Sequence, residues 1–593
     1  MRKLLVVPAL FLCPLLFIGA RSSKLSKDDQ VIHALNRLTF GPRPGDVEAV
    51  RKMGVKKWID LQLHPERLAE NPELAQKLAP LESLRLSQAD TQRTYPNPQM
   101  IRAIAAGRQP MPSDPVTRAA VERVVRRFKV KKDIADNGPL EPPAVALDQL
   151  LTREQIRTLR AGTVEQKRAV IAAIPEDQMD AVAIALSPGL RLQLLPAVDP
   201  TLRRKLMLLT APQQLVAFDL SEGKLYRAIL SNRQLEEQLV DFWYNHFNVF
   251  LDKGADRYLV PTYEREAIRP HVLGKFRDLL EATAKSPAML FFLDNWESVG
   301  PDTSQRRGNA KRPTRGLNEN YARELMELHT LGVDGGYTQK DVTQVARCFT
   351  GWTIRAPRQG GDFFYNDRVH DKGEKTVLGV EIPAGGGQDD AEKVLDILAR
   401  HPATARFISK RLAQRFVTDD PPQKLIDKMA KTFREKNGDI REVMKTMLTS
   451  DEFFSQTAYR AKVKTPFEMI VSAVRATGAQ VDFAFPLARQ IAELGEPLYR
   501  KLEPTGYSDA NSEWVNSAAL LARMNFALAL AQNKVPGSKL DVSQFTGDPA
   551  EVARQVLFTD AQPATLAAIE KQAQNAKAPV VGLMLGSPDF QRR

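Results

Sequence analysis

Cysteine is scarce in this chain, which has only two cysteines in 593 residues. Cys13 lies in the apolar segment at the beginning of the sequence, so Cys348 stands alone once that segment is removed. An internal disulfide is then excluded, and the hydrophobic core must stabilise the fold without one. We expect Cys348 to be a small buried residue on the helix that follows Thr338, and a nucleophilic thiol is the alternative.

Sequence motifs for well-known catalytic chemistry are also missing. The chain has no G-x-S-x-G motif, no P-loop and no H-E-x-x-H motif. These absences argue against α/β-hydrolases with a serine nucleophile, P-loop nucleotide-binding proteins and zinc proteases. An EF-hand calcium loop is absent as well. The remaining possibilities include a protein without catalytic activity.

Aromatic residues are few, at 7% of the chain, although the formal net charge is +13. A basic balance is compatible with an anionic polymer, a membrane surface or nucleic acid as partner, and also with a solvated surface alone. Nucleic-acid binding on single strands uses aromatic side chains interleaved with basic ones. No such stripe occurs, so the sequence does not favour nucleic acid as a partner.

Long apolar runs are confined to the first twenty residues. The basic residues Arg2 and Lys3 precede the apolar stretch 4–20, which Pro8 and Pro14 interrupt. This pattern is typical of a secretory signal peptide and predicts an exported protein of the periplasm or the extracellular space. An uncleaved membrane anchor is the alternative. No later segment is apolar enough to span a membrane.

Helical periodicity dominates the rest of the sequence and predicts a mainly α protein, a multi-helix globular core with a small β-hairpin insertion near 360–382. We divide the chain into a signal peptide (1–20), the start of the helical core (21–64), an elaborated helical insertion that is basic and punctuated by proline (65–220), the main helical core (221–534) and a C-terminal helical tail (535–593).

Regularly spaced prolines characterise the insertion. Pro188, Pro200 and Pro212 are twelve residues apart, and each precedes a short amphipathic run. Proline suits the first position of a helix, so we expect a stack of short helices. The stack can serve as an interaction module or as a packing layer. Further along, Thr338 and Asp341 have the spacing of a helix-capping box.

One predicted helix carries the candidates for acid–base chemistry. Glu324 and Glu327 are three residues apart, so they lie on the same side of this helix and can act together as acid and base or as metal ligands. Tyr321 and Arg323 are on the same helix, and Arg323 and Glu327 have the spacing of a helical ion pair. The alternative is a structural ion-pair network that ties the helix to its neighbours.

A second hypothesis concerns a metal. His246, His370, Asp371 and Glu324 are polar residues within otherwise apolar stretches, and we predict that they converge on a divalent metal or a polar ligand. No recognised ligand spacing supports this hypothesis. The alternative is that each histidine makes a structural hydrogen bond or caps a helix.

A basic segment precedes the candidate helix. It carries five positive charges, at Arg306, Arg307, Lys311, Arg312 and Arg315. This segment is a candidate binding site for an anionic polymer or an acidic partner protein. A solvated loop is the alternative.

Several stretches in a shared order resemble a known family. The strongest is the run NENYARELMEL at 318–328, and the others lie at 33–42, 242–247, 287–290, 350–352, 370–373 and 401–408. Together they resemble the bacterial, exported family named "domain of unknown function 1800". The resemblance implies export and an exported partner protein encoded nearby, but no reaction. The family commonly has phenylalanine where His329 stands, so we expect His329 to fill an apolar site.

The sequence therefore predicts an exported protein of unknown function that binds a partner protein or an anionic polymer in the cell envelope. The alternative is a metal- or carboxylate-dependent hydrolase-like enzyme. A purely structural envelope component would have neither a cleft nor a ligand. Whether the protein is an enzyme stays open at this point.

Overall fold

Many helices begin at a proline or at a capping side chain. Pro188, Pro200 and Pro212 each occupy the first turn of a helix, which confirms the expectation from their spacing. The missing N–H of proline costs nothing there, because the first N–H groups of a helix have no partner within it. The capping box of Thr338 and Asp341 is also present, and it starts the helix that ends at Cys348.

The computed structural model describes residues 24–111, 118, 121–122, 125–126, 145–301, 316–573 and 577–593. The predicted signal peptide and the basic segment 306–315 lie outside the described residues, as does part of the insertion. The described part is mainly α, as predicted. None of its helices combines the length and the hydrophobicity that a membrane crossing would require.

The α-helices before the main core fall into two groups. The first group is Lys27–Leu38, Asp46–Met53, Val55–Leu63, Pro72–Leu78, Gln88–Thr94 and Pro98–Ala105. The second group, in the insertion, is Leu147–Leu150, Arg153–Ala161, Val164–Ala172, Glu176–Ala185, Pro188–Leu194 and Pro200–Thr210. Neighbours in the second group pack on one another, for example Val164–Ala172 on Arg153–Ala161.

The main core and the C-terminal tail continue the helical pattern. The core helices are Pro212–Leu230, Gln234–His246, Asp256–Thr262, Phe276–Lys285, Pro287–Phe292, Asn320–Glu324, Gln339–Cys348, Asp389–Arg400, Pro402–Phe416, Gln423–Glu435, Ile440–Leu448, Pro466–Thr477, Phe485–Glu493 and Ser517–Ala531. The tail helices are Pro549–Leu557, Pro563–Ala573, Lys577–Gly586 and Pro588–Gln591. Two helices continue as wider π-helical turns, at Tyr263–Ile268 and Leu325–Thr330.

The β-structure consists of short antiparallel ribbons. Trp352–Ile354 pairs with Phe363–Tyr365, and Lys375–Val377 pairs with Val380–Ile382. The predicted hairpin near 360–382 is thus two separate ribbons. The second ribbon turns tightly at Leu378 and Gly379, both with positive φ, as two-residue hairpin turns require. A third ribbon joins Gln480–Val481 to Ser538–Lys539.

Two large hydrophobic clusters hold the helices together. The main cluster draws residues from both ends of the described chain, for example Leu35 and Met584, and it includes the fully buried Cys348. A second cluster is formed mostly by residues 151–216 of the insertion. The domain boundaries given above remain predictions.

Charged side chains are also buried in the main core. Arg415 lies 3.0 Å from Asp241 and 3.0 Å from Glu468, and Arg593 lies 2.7 Å from Glu468. Arg37, which is fully buried, donates to the carbonyl oxygen of Ala458 at 2.5 Å. Removing one partner from such a network leaves an uncompensated buried charge, which costs about 3–5 kcal/mol. These pairs join parts of the chain that are far apart in sequence.

Candidate functional site

The helix Asn320–Glu324 and the π-helical turn Leu325–Thr330 carry the four acid–base candidates. Tyr321 is buried, and its ring meets that of Phe349 edge-on, with centroids 5.1 Å apart. Burial raises the pKa of Tyr321 far above its usual range. Tyr321 is therefore a neutral core residue.

Glu324 and Glu327 are both half-buried. Burial raises the pKa of Glu324, and the negative charge of Glu327 raises it further, although Arg323 opposes this. Tyr337 donates from its hydroxyl to Glu327 at 3.2 Å, and burial together with Glu327 raises the pKa of Tyr337 to about 12. The charge of Glu327 thus acts on Glu324 in the direction expected when two carboxyl groups share a site.

Arg323 does not make the ion pair that its spacing predicts. Among the described residues it pairs with Glu319, at 3.6 Å, and donates to Gln339 at 2.9 Å. The helix widens to a π-helical turn at Leu325, between Arg323 and Glu327. The wider turn changes the angular offset between these two residues, so the normal helical spacing no longer applies.

His246 ends the helix Gln234–His246 among aromatic rings. Its Nε2 lies 3.1 Å from the carbonyl oxygen of His329, and its ring contacts those of Phe247 and Phe407. Burial lowers the pKa of His246 well below its usual value. The imidazole is thus neutral at physiological pH, and Nε2 donates a structural hydrogen bond.

His329 is also buried in this aromatic group, with its ring centroid 5.0 Å from that of Phe247. Burial lowers the pKa of His329 to about 3. Its Nε2 has no hydrogen-bond partner among the described residues. His329 therefore occupies an apolar site, as its position in the sequence led us to expect.

His370 and Asp371 are adjacent but have different partners. His370 contacts Asp390, with Nε2 3.3 Å from Oδ2. Asp371 accepts two hydrogen bonds from Arg347, at 2.7 and 3.1 Å. Burial favours a higher pKa for Asp371, but the hydrogen bonds and charge of Arg347 outweigh it, so this pKa is lowered.

The structure does not gather His246, His370, Asp371 and Glu324 into one cluster. Within the described residues, no group of three His, Cys, Asp or Glu side chains is placed to hold a metal ion. What it does bring together is His370 with Asp390, and Glu324 with Glu327.

A cleft of about 850 Å³ opens between the insertion and the main core. Its apolar lining residues are Leu192, Leu195, Pro196, Ala217, Phe218, Phe483, Phe485, Pro486, Ala529, Val535 and Pro536. Its charged lining residues are Arg257, Arg489, Arg500 and Lys534, with Asp252 and Glu493. The neutral polar lining is limited to Gln214 and Gln490.

The charges of the cleft are only partly compensated. Asp252 pairs with Arg257 at 2.6 Å and with Arg500 at 2.7 Å. Burial alone would raise the pKa of Asp252, but the hydrogen bonds and charges of the two arginines lower it. Arg489 and Lys534 are exposed and have no ion-pair partner among the described residues. The cleft therefore has an excess of positive charge.

The apolar wall of the cleft is fixed in place. Phe218 and Phe485 stack with ring centroids 3.5 Å apart. The buried Glu222 accepts the backbone N–H groups of Ala484 and Phe485, at 3.1 and 3.2 Å. Burial raises the pKa of Glu222 to about 7. These contacts hold the segment that contains Phe483 and Phe485 against the helix Pro212–Leu230.

The family described as protein of unknown function (DUF1800) matches residues 33–592. The chain belongs to this family. It matches no curated protein and no solved structure. The DUF1800 match extends over the acid–base candidates, the insertion and the whole lining of the cleft.

Sequence reasoning missed the cleft of this DUF1800 protein. Its lining comes from segments near 192, 218, 252, 485 and 534, which no local spacing connects. A weak signal was present in the aromatic and proline residues at 483–486 and in Val535-Pro536. Only the packing of the insertion on the core makes these segments neighbours.

Proposed function

We propose that this protein is exported to the cell envelope and binds an anionic partner there, either a partner protein or an anionic polymer. The observation that carries this proposal is the cleft of about 850 Å³ with four basic and two acidic side chains in its lining. One of the acidic residues, Asp252, is already neutralised by two arginines. A concave site with uncompensated positive charge attracts and orients anions.

Two further observations support the proposal. The formal net charge of +13 gives the whole molecule a long-range attraction for polyanions. The apolar stretch 4–20, which follows the basic residues Arg2 and Lys3, has the pattern of a signal peptide and supports export from the cytoplasm. A partner encoded nearby, as the family resemblance implies, would be exported to the same compartment.

The test is the binding of the purified protein to immobilised polyglutamate and to dextran sulfate at about 150 mM salt, where weak long-range attraction is screened. We expect saturable binding to at least one of them, weakening as salt increases. Neutral dextran serves as the control matrix. Absence of binding to both polyanions would contradict the proposal.

A second candidate function rests on Glu324 and Glu327. The raised pKa of Glu324 beside a second carboxyl group is an arrangement that general acid–base catalysis uses. The test is a screen of chromogenic ester and glycoside substrates with the wild type, Glu324→Gln and Glu327→Gln. Hydrolysis that is lost in both variants but kept in the exposed-site control Glu513→Gln would support a hydrolase-like enzyme. Equal rates in all four proteins would contradict it.

A further inference from the structure

We infer that the cleft is the docking site for an extended acidic peptide segment of a partner protein. This inference rests on the proposed function and makes it narrower, because it names both the site and the class of ligand.

The positive charges of the lining favour a ligand that carries negative charge. Arg257 and Arg500 share the single carboxylate of Asp252, so this group of three side chains keeps one net positive charge. Glu493 accepts a hydrogen bond from Gln490 at 2.8 Å and keeps its negative charge, but with four basic and two acidic side chains the lining still has two positive charges in excess. Arg489 and Lys534 are exposed and form no ion pair with any residue that the structure describes, so two carboxylates of a ligand can pair with them at the rim of the cleft.

The apolar lining distinguishes a peptide from a sugar polymer. A buried sugar hydroxyl needs a hydrogen-bond partner, and eleven of the nineteen lining side chains, among them Phe218, Phe483 and Phe485, are apolar and offer none. Apolar side chains of a peptide, by contrast, fit a wall of phenylalanine, leucine and proline. In a peptide that alternates apolar and acidic residues, the apolar side chains can pack on the wall while the carboxylates pair with the basic side chains at the rim.

The wall is also organised before a ligand arrives. Glu222 fixes the backbone at Ala484 and Phe485, and Phe485 stacks on Phe218. Fixing the binding surface in advance lowers the entropy lost on association. Pro196, Pro486 and Pro536 offer no N–H group, so we expect recognition through side chains rather than by strand addition.

The experiment uses a fluorescein-labelled decapeptide that alternates glutamate with leucine, and its counterpart that alternates lysine with leucine. Binding to the full chain is followed by fluorescence anisotropy. We expect the acidic peptide to bind and the basic one not to bind. Reversing the two free charges in Arg489→Glu/Lys534→Glu should weaken binding by about tenfold or more.

The matched control is Lys52→Glu/Lys57→Glu, which makes the same change in net charge at exposed residues outside the cleft. A third variant, Leu192→Asp, places a carboxylate on an exposed apolar position of the lining and should also weaken binding. All of these positions are exposed, so the variants should fold, and circular dichroism with thermal melting verifies this.

Loss of peptide binding in the cleft variants, with binding kept in the control, would support the inference. An equal loss in both charge-reversal pairs would overturn the location in the cleft and leave the proposed function standing. Polygalacturonate that binds through Arg489 and Lys534 while the acidic peptide does not would overturn the class of ligand. If the wild type binds no polyanion at all, the proposed function fails together with the inference.

Discussion

His370 and Asp390 lie side by side in the core, with Nε2 of the imidazole 3.3 Å from Oδ2 of the carboxylate. Lys375 donates to the same oxygen at 2.8 Å, and all three side chains are fully buried. The other ring nitrogen, Nδ1, lies 2.8 Å from the carbonyl oxygen of Thr350. His370 therefore connects the segment after Cys348 to the first turn of the helix Asp389–Arg400.

Replacing Asp390 should destabilise the fold strongly. In Asp390→Asn the ammonium group of Lys375 would stay buried without a counter-charge, which costs about 3–5 kcal/mol. Urea unfolding measures the loss. The neighbouring Asp389 is exposed, so Asp389→Asn should change stability by about 0.5 kcal/mol at most. A similar small change in both variants would show that the buried pair contributes little.

His329 should make the protein sensitive to acid. Burial lowers its pKa from 6.5 to about 3, so between these values the unfolded chain binds a proton that the folded chain excludes. Stability therefore falls as pH falls through this window. Replacing the ring in His329→Phe removes this effect, and we expect the variant to gain about 2 kcal/mol over the wild type on going from pH 7.5 to pH 5. Urea unfolding at the two pH values tests this, and an equal difference at both would contradict it.

Glu222 should have the opposite pH dependence. Burial raises its pKa from 4.5 to about 7, so the folded chain retains a proton that the unfolded chain has already released. The contribution is fully present below about pH 4.5 and is lost as pH rises through 7. The amide of Glu222→Gln can still accept from Ala484 and Phe485. We expect it to gain about 3 kcal/mol over the wild type on going from pH 4.5 to pH 8, measured by urea unfolding.

Export should depend on the apolar stretch 4–20. The double change Leu15→Arg/Leu16→Arg puts two charges into this stretch, which a signal peptide does not tolerate. We expect the protein to accumulate in the cytoplasm, as measured by cell fractionation. The control Ser22→Arg/Ser23→Arg adds the same charge in the polar residues that follow and should be exported. Unchanged export of the first variant would argue against a signal peptide.

Local features of the fold could be predicted because their signals are local. The prolines at 188, 200 and 212 and the capping box at Thr338 act within one helical turn. The family could be recognised from short stretches in a shared order. The helical class followed from periodicity alone.

Relations that depend on packing could not be predicted. His370 contacts Asp390, which is twenty residues further along the chain, because the ribbon of Lys375–Val377 and Val380–Ile382 folds back between them. The π-helical turn at Leu325 separates Arg323 from Glu327, although their spacing fits a normal helix. Nothing in the local sequence marks Arg489 and Lys534 as residues of a binding site, because they become part of a cleft only when the insertion packs beside them.

The helices of the insertion that begin at Pro188 and Pro200 also lead us to expect a particular order of events during folding. Pro188–Leu194 and Pro200–Thr210 pack mainly on each other or on the helix that follows, so their contacts close short loops, which form quickly. The contact of Arg37 with Ala458 spans 421 residues and therefore joins parts of the chain that are far apart in sequence. We expect pulsed hydrogen exchange to detect protection in 153–210 before it detects protection around Arg37. The insertion would then fold first and the rest of the chain would pack against it. The cleft, which lies between the two, would form last.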